Sequence, residues 1–202
     1  MSMLKKVDEY YTDKILTHGI SPKGVDWSTK ESQILRFQQL SKIFNQKSFS
    51  IGDIGCGYGE FINYLNAHFS NFEYHGYDIS IEMINEAKKL FSNNLFHHIK
   101  DNSEIKPHDF LILSGLFNLK FEYQISEWKD FVKQSLIDIN KKAIKGFSFN
   151  ILTSYSDKEK MRDDLYYADP MEYFDFCKRN FSRNISLLHD YDLYEFTILV
   201  RK

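Results

Sequence analysis

Residues 50–61 read Ser50-Ile51-Gly52-Asp53-Ile54-Gly55-Cys56-Gly57-Tyr58-Gly59-Glu60-Phe61. A short apolar run ends at an acid, glycines follow at alternate positions from Gly55 to Gly59, and a helical pattern then begins. This reads as a strand, a tight turn and a helix start, where glycine permits positive φ and lets a ligand approach the backbone. The dinucleotide fingerprint G-x-G-x-x-G follows the same logic with another spacing, since the third glycine here comes one residue early.

Two later features extend the reading. Residues 72–80, Phe-Glu-Tyr-His-Gly-Tyr-Asp-Ile-Ser, read as a second strand ending at Asp78. That acid lies about 20 residues past the glycine loop, where a βαβ unit places a ribose-binding acid. Asp101 and Asn102 follow a third apolar run, Leu95 to Ile99.

The D-x-G-x-G-x-G form, Asp53 to Gly59, resembles motif I of the class I S-adenosylmethionine (SAM) methyltransferases. The resemblance implies that the loop Gly55, Cys56, Gly57, Tyr58 and Gly59 passes under the amino-acid part of SAM, with Asp53 beside its ammonium group. It implies that Asp78 holds the ribose hydroxyls, with Ile79 and Met83 close by. Asp101 or Asn102 would face the adenine amino group. It covers residues 49–202 and is specific for fold and cofactor but not for substrate. The Gly24-Val25-Asp26-Trp27 leader and the Leu165-Tyr166-Tyr167-Ala168-Asp169-Pro170 segment look like those of small bacterial methyltransferases without a settled acceptor.

Composition bounds the rest. The chain has 202 residues, a net charge of −2 and a 43% hydrophobic fraction, which suits one domain with a full core. No Lys/Arg block marks a nucleic-acid footprint. The end of the fourth strand reads Ser-Gly-Leu-Phe-Asn and lacks the Asn/Asp-Pro-Pro-aromatic motif of amino-methylating DNA enzymes. Cys56 and Cys177 form neither a disulfide framework nor a zinc spacing. A polar amino terminus and the lack of a membrane-length apolar run point to the cytoplasm.

In chain order, Leu4, Val7, Tyr11 and Ile15 share one face of a helix over 3–17. A loop containing His18, Asp26 and Trp27 follows, and Ser28 or Thr29 caps a helix to about Phe44, with Ile34 among its packing residues. Trp27 either stacks on a ligand or anchors the leader. Arg36 either meets the cofactor carboxylate bidentately, with Gln33 beside it, or lies on a solvated face. Strands are expected at 49–54, 72–78, 95–99, 109–114 and 146–152, separated by helices. Ser114, Gly115 and Asn118 follow the fourth strand, at the sheet edge where ligands bind in open α/β folds. The helix 123–140 turns Ile125, Trp128, Phe131, Val132, Leu136 and Ile139 inward. Residues 153–169, with Tyr155, Tyr166 and Tyr167, read as an insertion over the pocket mouth. Asp169 and Pro170 start a helix to 180. Two tail strands, 184–189 and 194–201, are joined by a turn too short for a crossover and must be antiparallel.

The expectation is a Rossmann-like α/β domain over 1–202, with a mainly parallel seven-stranded sheet, a carboxyl-terminal antiparallel hairpin, a helical cap at 1–45 and a lid at 153–169. The implied reaction is methyl transfer from SAM to a hydroxyl or amine of a small molecule, such as a sugar or sugar nucleotide, leaving S-adenosylhomocysteine (SAH). Asp26, His18, Tyr155 and His189 are the candidate bases; Trp27, Asn118, Tyr166 and Tyr167 are the candidate acceptor contacts. A protein acceptor and a non-catalytic SAM- or nucleotide-binding module are the alternatives. No metal or membrane is expected, and the oligomeric state is open.

Overall fold

A computed structural model describes residues 3–27, 29–92 and 95–202. Strand β1 (Phe49–Ile54) is buried along nearly its whole length and pairs in parallel with β2 (Phe72–Asp78) and β4 (His108–Leu113). Strand β3 (Phe96–His98) extends the sheet beyond β2, and β5 (Ala143–Thr153) extends it beyond β4, both in parallel. The expected hairpin, β7 (Asn184–Leu188) and β8 (Glu195–Arg201), closes the far side, with β8 antiparallel to both β5 and β7. The order is therefore β3-β2-β1-β4-β5-β8-β7. Near-continuous apolar runs in β1, β4 and β5 follow from burial on both faces, as parallel strands require. Chain order reverses between β1 and β4, which opens a crevice at their carboxyl ends.

The fold agrees with the sequence reading in type and order, with one addition. The two-residue strand β6 (Tyr167–Ala168) pairs with Leu152 and Thr153 of β5 and makes the sheet eight-stranded. A strand this short carries no period to read.

Helices cover both faces. On one side α2 (Lys30–Ser41), α3 (Glu60–His68) and α4 (Ile81–Leu90) bury Phe37, Leu40, Phe61, Leu65 and Ile84 against β1 and β2. On the other, α5 (Ile125–Lys142) and α6 (Pro170–Asn180) bury Trp128, Leu136, Tyr173 and Cys177 against β4 and β5. Trp128 is fully buried, and its indole N–H donates to the Phe117 carbonyl (2.9 Å). Truncating it to alanine is expected to cost about 3–5 kcal/mol. Ile34 and Ile125, expected inward, are instead exposed, Ile34 because it lies at the edge of its helix's apolar stripe and Ile125 because it stands at the first position of α5.

Caps match the sequence signals. Thr29 Oγ1 accepts from Ser32 N–H (3.1 Å) at the start of α2; Ser28 lies outside the described residues. Asp169 accepts from Met171 N–H (2.8 Å), with Pro170 at the first position of α6. Helix α1 (Met3–His18) lies across α4, where Thr12 Oγ1 meets Ser80 Oγ (2.8 Å) and Glu82 (3.2 Å).

Candidate functional site

The main cavity lies at the β1/β4 crevice, between the sheet edge and the amino-terminal segment. Its floor is the glycine loop. Gly55, Gly57 and Gly59 have φ of +71°, +56° and +88°, left-handed values that other residues adopt only with strain. At Gly57 space forbids a side chain as well, since a Cβ would stand 2.9 Å from Val25 Cγ1. The loop is tied to β2: Gly55 and Cys56 N–H both donate to the Tyr77 carbonyl (2.8 and 3.1 Å).

Two acids close the floor. Asp78 Oδ2 accepts from Gly57 N–H (2.8 Å) and its Oδ1 from Ser80 N–H (2.9 Å). Burial raises its pKa, and these backbone donors oppose that rise. Asp53 Oδ2 accepts from the Tyr74 hydroxyl (2.8 Å). Burial pushes the Asp53 pKa up to about 7, against the Tyr74 hydrogen bond and with help from the Asp78 charge. Neither acid forms an ion pair among the described residues, so the cavity is electronegative and suits cations and hydroxyl donors. Ser114 Oγ, also on the wall, is buried and has no hydrogen-bond partner among the described residues.

Of the sequence-predicted residues, the structure brings together Asp53, Gly55, Cys56, Gly57, Tyr58, Asp78, Ile79, Met83, Asn102, Ser114, Gly115 and Trp27 around this cavity. Gly59 sits just behind it, where a Cβ would strike Phe96 at 2.8 Å. Asp101 caps a short turn by accepting from Ser103 N–H (2.7 Å) and lines an adjoining cleft with Leu4, Asn102 and Gln134.

The remaining candidates lie off the cavity wall. Arg36 is buried and its Nε donates to Glu195 (2.8 Å), which leaves Gln33 and Phe37 as the residues of α2 that line the cavity. Asp26 turns toward α1, accepting from Tyr10 Oη (2.9 Å) and Lys14 Nζ (2.9 Å). His18 is exposed at the end of α1. Asn118 is buried and its Oδ1 accepts from Leu152 N–H (3.1 Å), joining the β4–α5 loop to β5. Tyr166 is core, its hydroxyl against that of Tyr173 (3.0 Å), and the Tyr167 hydroxyl accepts from Arg162 N–H (3.1 Å). Tyr155 and His189 pack on each other in solvent, ring centroids 5.8 Å apart.

No residue of 153–169 lines the cavity. The opposite wall comes instead from α1, through Leu4, Val7 and Tyr11, and from α5, through Trp128, Phe131 and Ser135. The apolar stripe of α1 was readable as a stripe, but nothing in it said which surface it covers.

Comparison with known proteins agrees with this geometry. A methyltransferase-domain family model matches residues 53–121. The chain is 47% identical over 155 residues to the Mycobacterium tuberculosis protein described as "Putative methyltransferase Rv1506c", covering 76% of this chain and 93% of that one. Among solved structures it resembles magnesium protoporphyrin IX methyltransferase (ChlM) from Synechocystis PCC 6803 with bound SAH, at TM-score 0.64 and 16% identity, covering 98% of this chain and 99% of that one. A DhpI-SAM-HEP complex gives TM-score 0.67 at 12% identity over the full length of both chains. The plantazolicin methyltransferase BpumL, in complex with a pentazolic desmethylPZN analog and SAH, gives 0.63 at 14% identity over 98% of each. None of these relatives contributes the glycine loop and the strand order, which stand in this chain by themselves; with the mycobacterial match they place it in the class I SAM-dependent methyltransferase family.

Proposed function

We propose that the chain binds SAM in the β1/β4 cavity and transfers its methyl group to a small molecule whose nucleophile needs no base from the protein. The observation carrying the acceptor reading is that Asp26, His18, Tyr155 and His189 all lie off the cavity wall, while Glu60, an acid that does line it, accepts from Asn63 Nδ2 (3.0 Å). A neutral amine has a lone pair ready, whereas a hydroxyl would need a positioned base.

The residues present fit the cofactor. Asp78 would receive the ribose hydroxyls, each of its oxygens keeping acceptor capacity beyond one backbone donor. Asp53 would face the ammonium group, which would compensate its buried charge. The unpartnered Ser114 Oγ offers a donor and acceptor nearby, and Gln33 an amide toward the carboxylate. Asn102 remains the candidate for the adenine edge, with Asp101 supporting its turn. Solved neighbours carrying SAM or SAH in the same fold support this reading.

When bound, SAM supplies an electrophilic methyl on a sulfonium. The chain's contribution is to orient and exclude water: Trp27, Leu116, Phe117, Tyr11 and Val7 give the cavity an apolar wall. Positioning of this kind can supply much of a displacement's acceleration. In this reading residues 1–45 are the cap that closes the site, and 153–169 is a buttress on β5 rather than a lid. The sugar or sugar-nucleotide acceptor loses its main support, since the lid aromatics behind it do not reach the cavity.

Incubation with labelled-methyl SAM and separate panels of amines, hydroxyl compounds, sugar nucleotides and cell protein tests the proposal. Label in the amine fraction is expected. Label confined to protein would favour the protein acceptor, and SAM binding without any transfer would favour the non-catalytic module.

A further inference from the structure

Arg36 and Glu195 are 159 positions apart, and both are buried. Glu195 opens β8, and each of its carboxylate oxygens has a separate duty. Oε2 accepts from Arg36 Nε (2.8 Å), and Oε1 accepts from Asn150 Nδ2 (2.9 Å). The two arms then meet again. Asn150 Oδ1 accepts from Gly115 N–H (2.7 Å). The Arg36 guanidinium stacks over the Trp27 indole, 4.1 Å from its centroid. Trp27 in turn presses on Gly115, where a Cβ would stand 2.2 Å from its ring edge. The circuit Glu195–Arg36–Trp27–Gly115–Asn150 is closed. It grips one cavity residue from two sides, Asn150 on its peptide nitrogen and Trp27 on its α-carbon.

Chemistry explains why charge is used here. A buried carboxylate without a partner is costly, so Glu195 fixes both donors firmly. A guanidinium can hold the carboxylate through one edge and stack on an indole through its face, which an ammonium cannot do. Asn150 has its amide orientation set by Glu195: its NH₂ faces the carboxylate, so its oxygen faces Gly115.

We propose that Glu195 is a positioning residue for the cavity, holding Trp27 against Gly115 through Arg36 and orienting the Gly115 peptide through Asn150. Its effect on ligand rests on the SAM reading above; its effect on Trp27 does not. The circuit also ties the amino-terminal cap to the hairpin that closes the sheet, so the cap's seat is set by the last strand of the chain.

The test uses the full chain with Trp128→Phe, which leaves Trp27 as the remaining tryptophan. Adding Glu195→Gln should raise acrylamide quenching of Trp27 several-fold in the ligand-free protein. In the chain with Trp128 intact, Glu195→Gln should also weaken SAH binding about tenfold, the equivalent of one hydrogen bond of ordinary strength. Should Glu195→Gln not fold, Arg36→Lys, which keeps the charge and loses the stacking plane, carries the same expectation. A lowered melting temperature with quenching unchanged overturns the proposal and leaves Glu195 a structural ion pair. Raised quenching with unchanged SAH affinity overturns the link to the cavity. If the chain with both tryptophans intact binds no SAH, the SAM reading falls, and quenching alone still decides whether Glu195 holds Trp27.

Discussion

The segment from Leu4 to Gln33 and the segment from Thr153 to Asp169 both flank the carboxyl edge of the sheet, and both are rich in aromatic and acidic residues. The first lines the cavity through Leu4, Val7, Tyr11, Val25, Trp27 and Gln33; no residue of the second does. The difference lies in what each backbone has available to bind. In the second, β6 pairs with β5, Lys120 and Phe121 N–H donate to the Asp164 carbonyl, and Tyr166 N–H donates to that of Asn118. These bonds pin it to the β4–α5 loop and turn its aromatics inward or to solvent. The first is mostly helical, so most of its backbone is satisfied internally and its apolar face is free to cover a ligand. Lying after a strand's carboxyl end gives proximity to a site, not direction toward it.

The largest expected effect sharpens the cavity side. Asp78→Ala should weaken SAM binding on the order of 2–3 kcal/mol, roughly 30- to 150-fold, by removing a charged acceptor for the ribose. Calorimetry checks it, with the melting temperature watched because Gly57 and Ser80 also lose their acceptor.

Acid should act next. With the Asp53 pKa near 7, its charge is largely lost by pH 6, so affinity for the cationic cofactor should be about tenfold weaker at pH 6 than at pH 8. The sign for stability is the opposite. The folded state holds this proton more tightly than the unfolded chain, so Asp53 stabilises the ligand-free protein at low pH. That contribution declines as pH rises from about 4 to 7. Titrations of binding and of melting temperature should therefore run in opposite directions across this window, and parallel trends would remove Asp53 from the cofactor's ammonium.

Tyr74→Phe should be smaller. It takes away a donor that favours the Asp53 carboxylate, so the Asp53 pKa rises further and SAM affinity at pH 7 falls about threefold. The smallest effects belong to the other region. Tyr155→Phe, Tyr167→Phe and His189→Ala should leave SAM affinity within about twofold, as surface changes usually do. A loss matching that of Asp78→Ala in any of these would break the comparison and restore the lid.

Much of the fold was legible because short-range rules fix it. The glycine loop, the strand ending at Asp78, the caps at Thr29 and Asp169 and the antiparallel hairpin each depend on residues within a few positions. Many of the residues that line the cavity followed, since they sit at or just after strand ends. What escaped was tertiary. No local signal sends Arg36 to Glu195, so its readings stopped at a cofactor contact or a solvated face. Asp26 has an acid's chemistry, but Tyr10 and Lys14, one helix earlier, claim it. Asn118 looked like an edge residue because the strand before it ends there, yet its amide joins two backbone segments.

The most direct test of the central claim is calorimetric and thermal titration of the unmodified chain with SAH, with NAD as the control ligand. The account predicts saturable SAH binding and stabilisation of about 2.7 kcal/mol at a hundredfold excess over Kd, with no response to NAD. No response to SAH, or equal stabilisation by NAD, would contradict it.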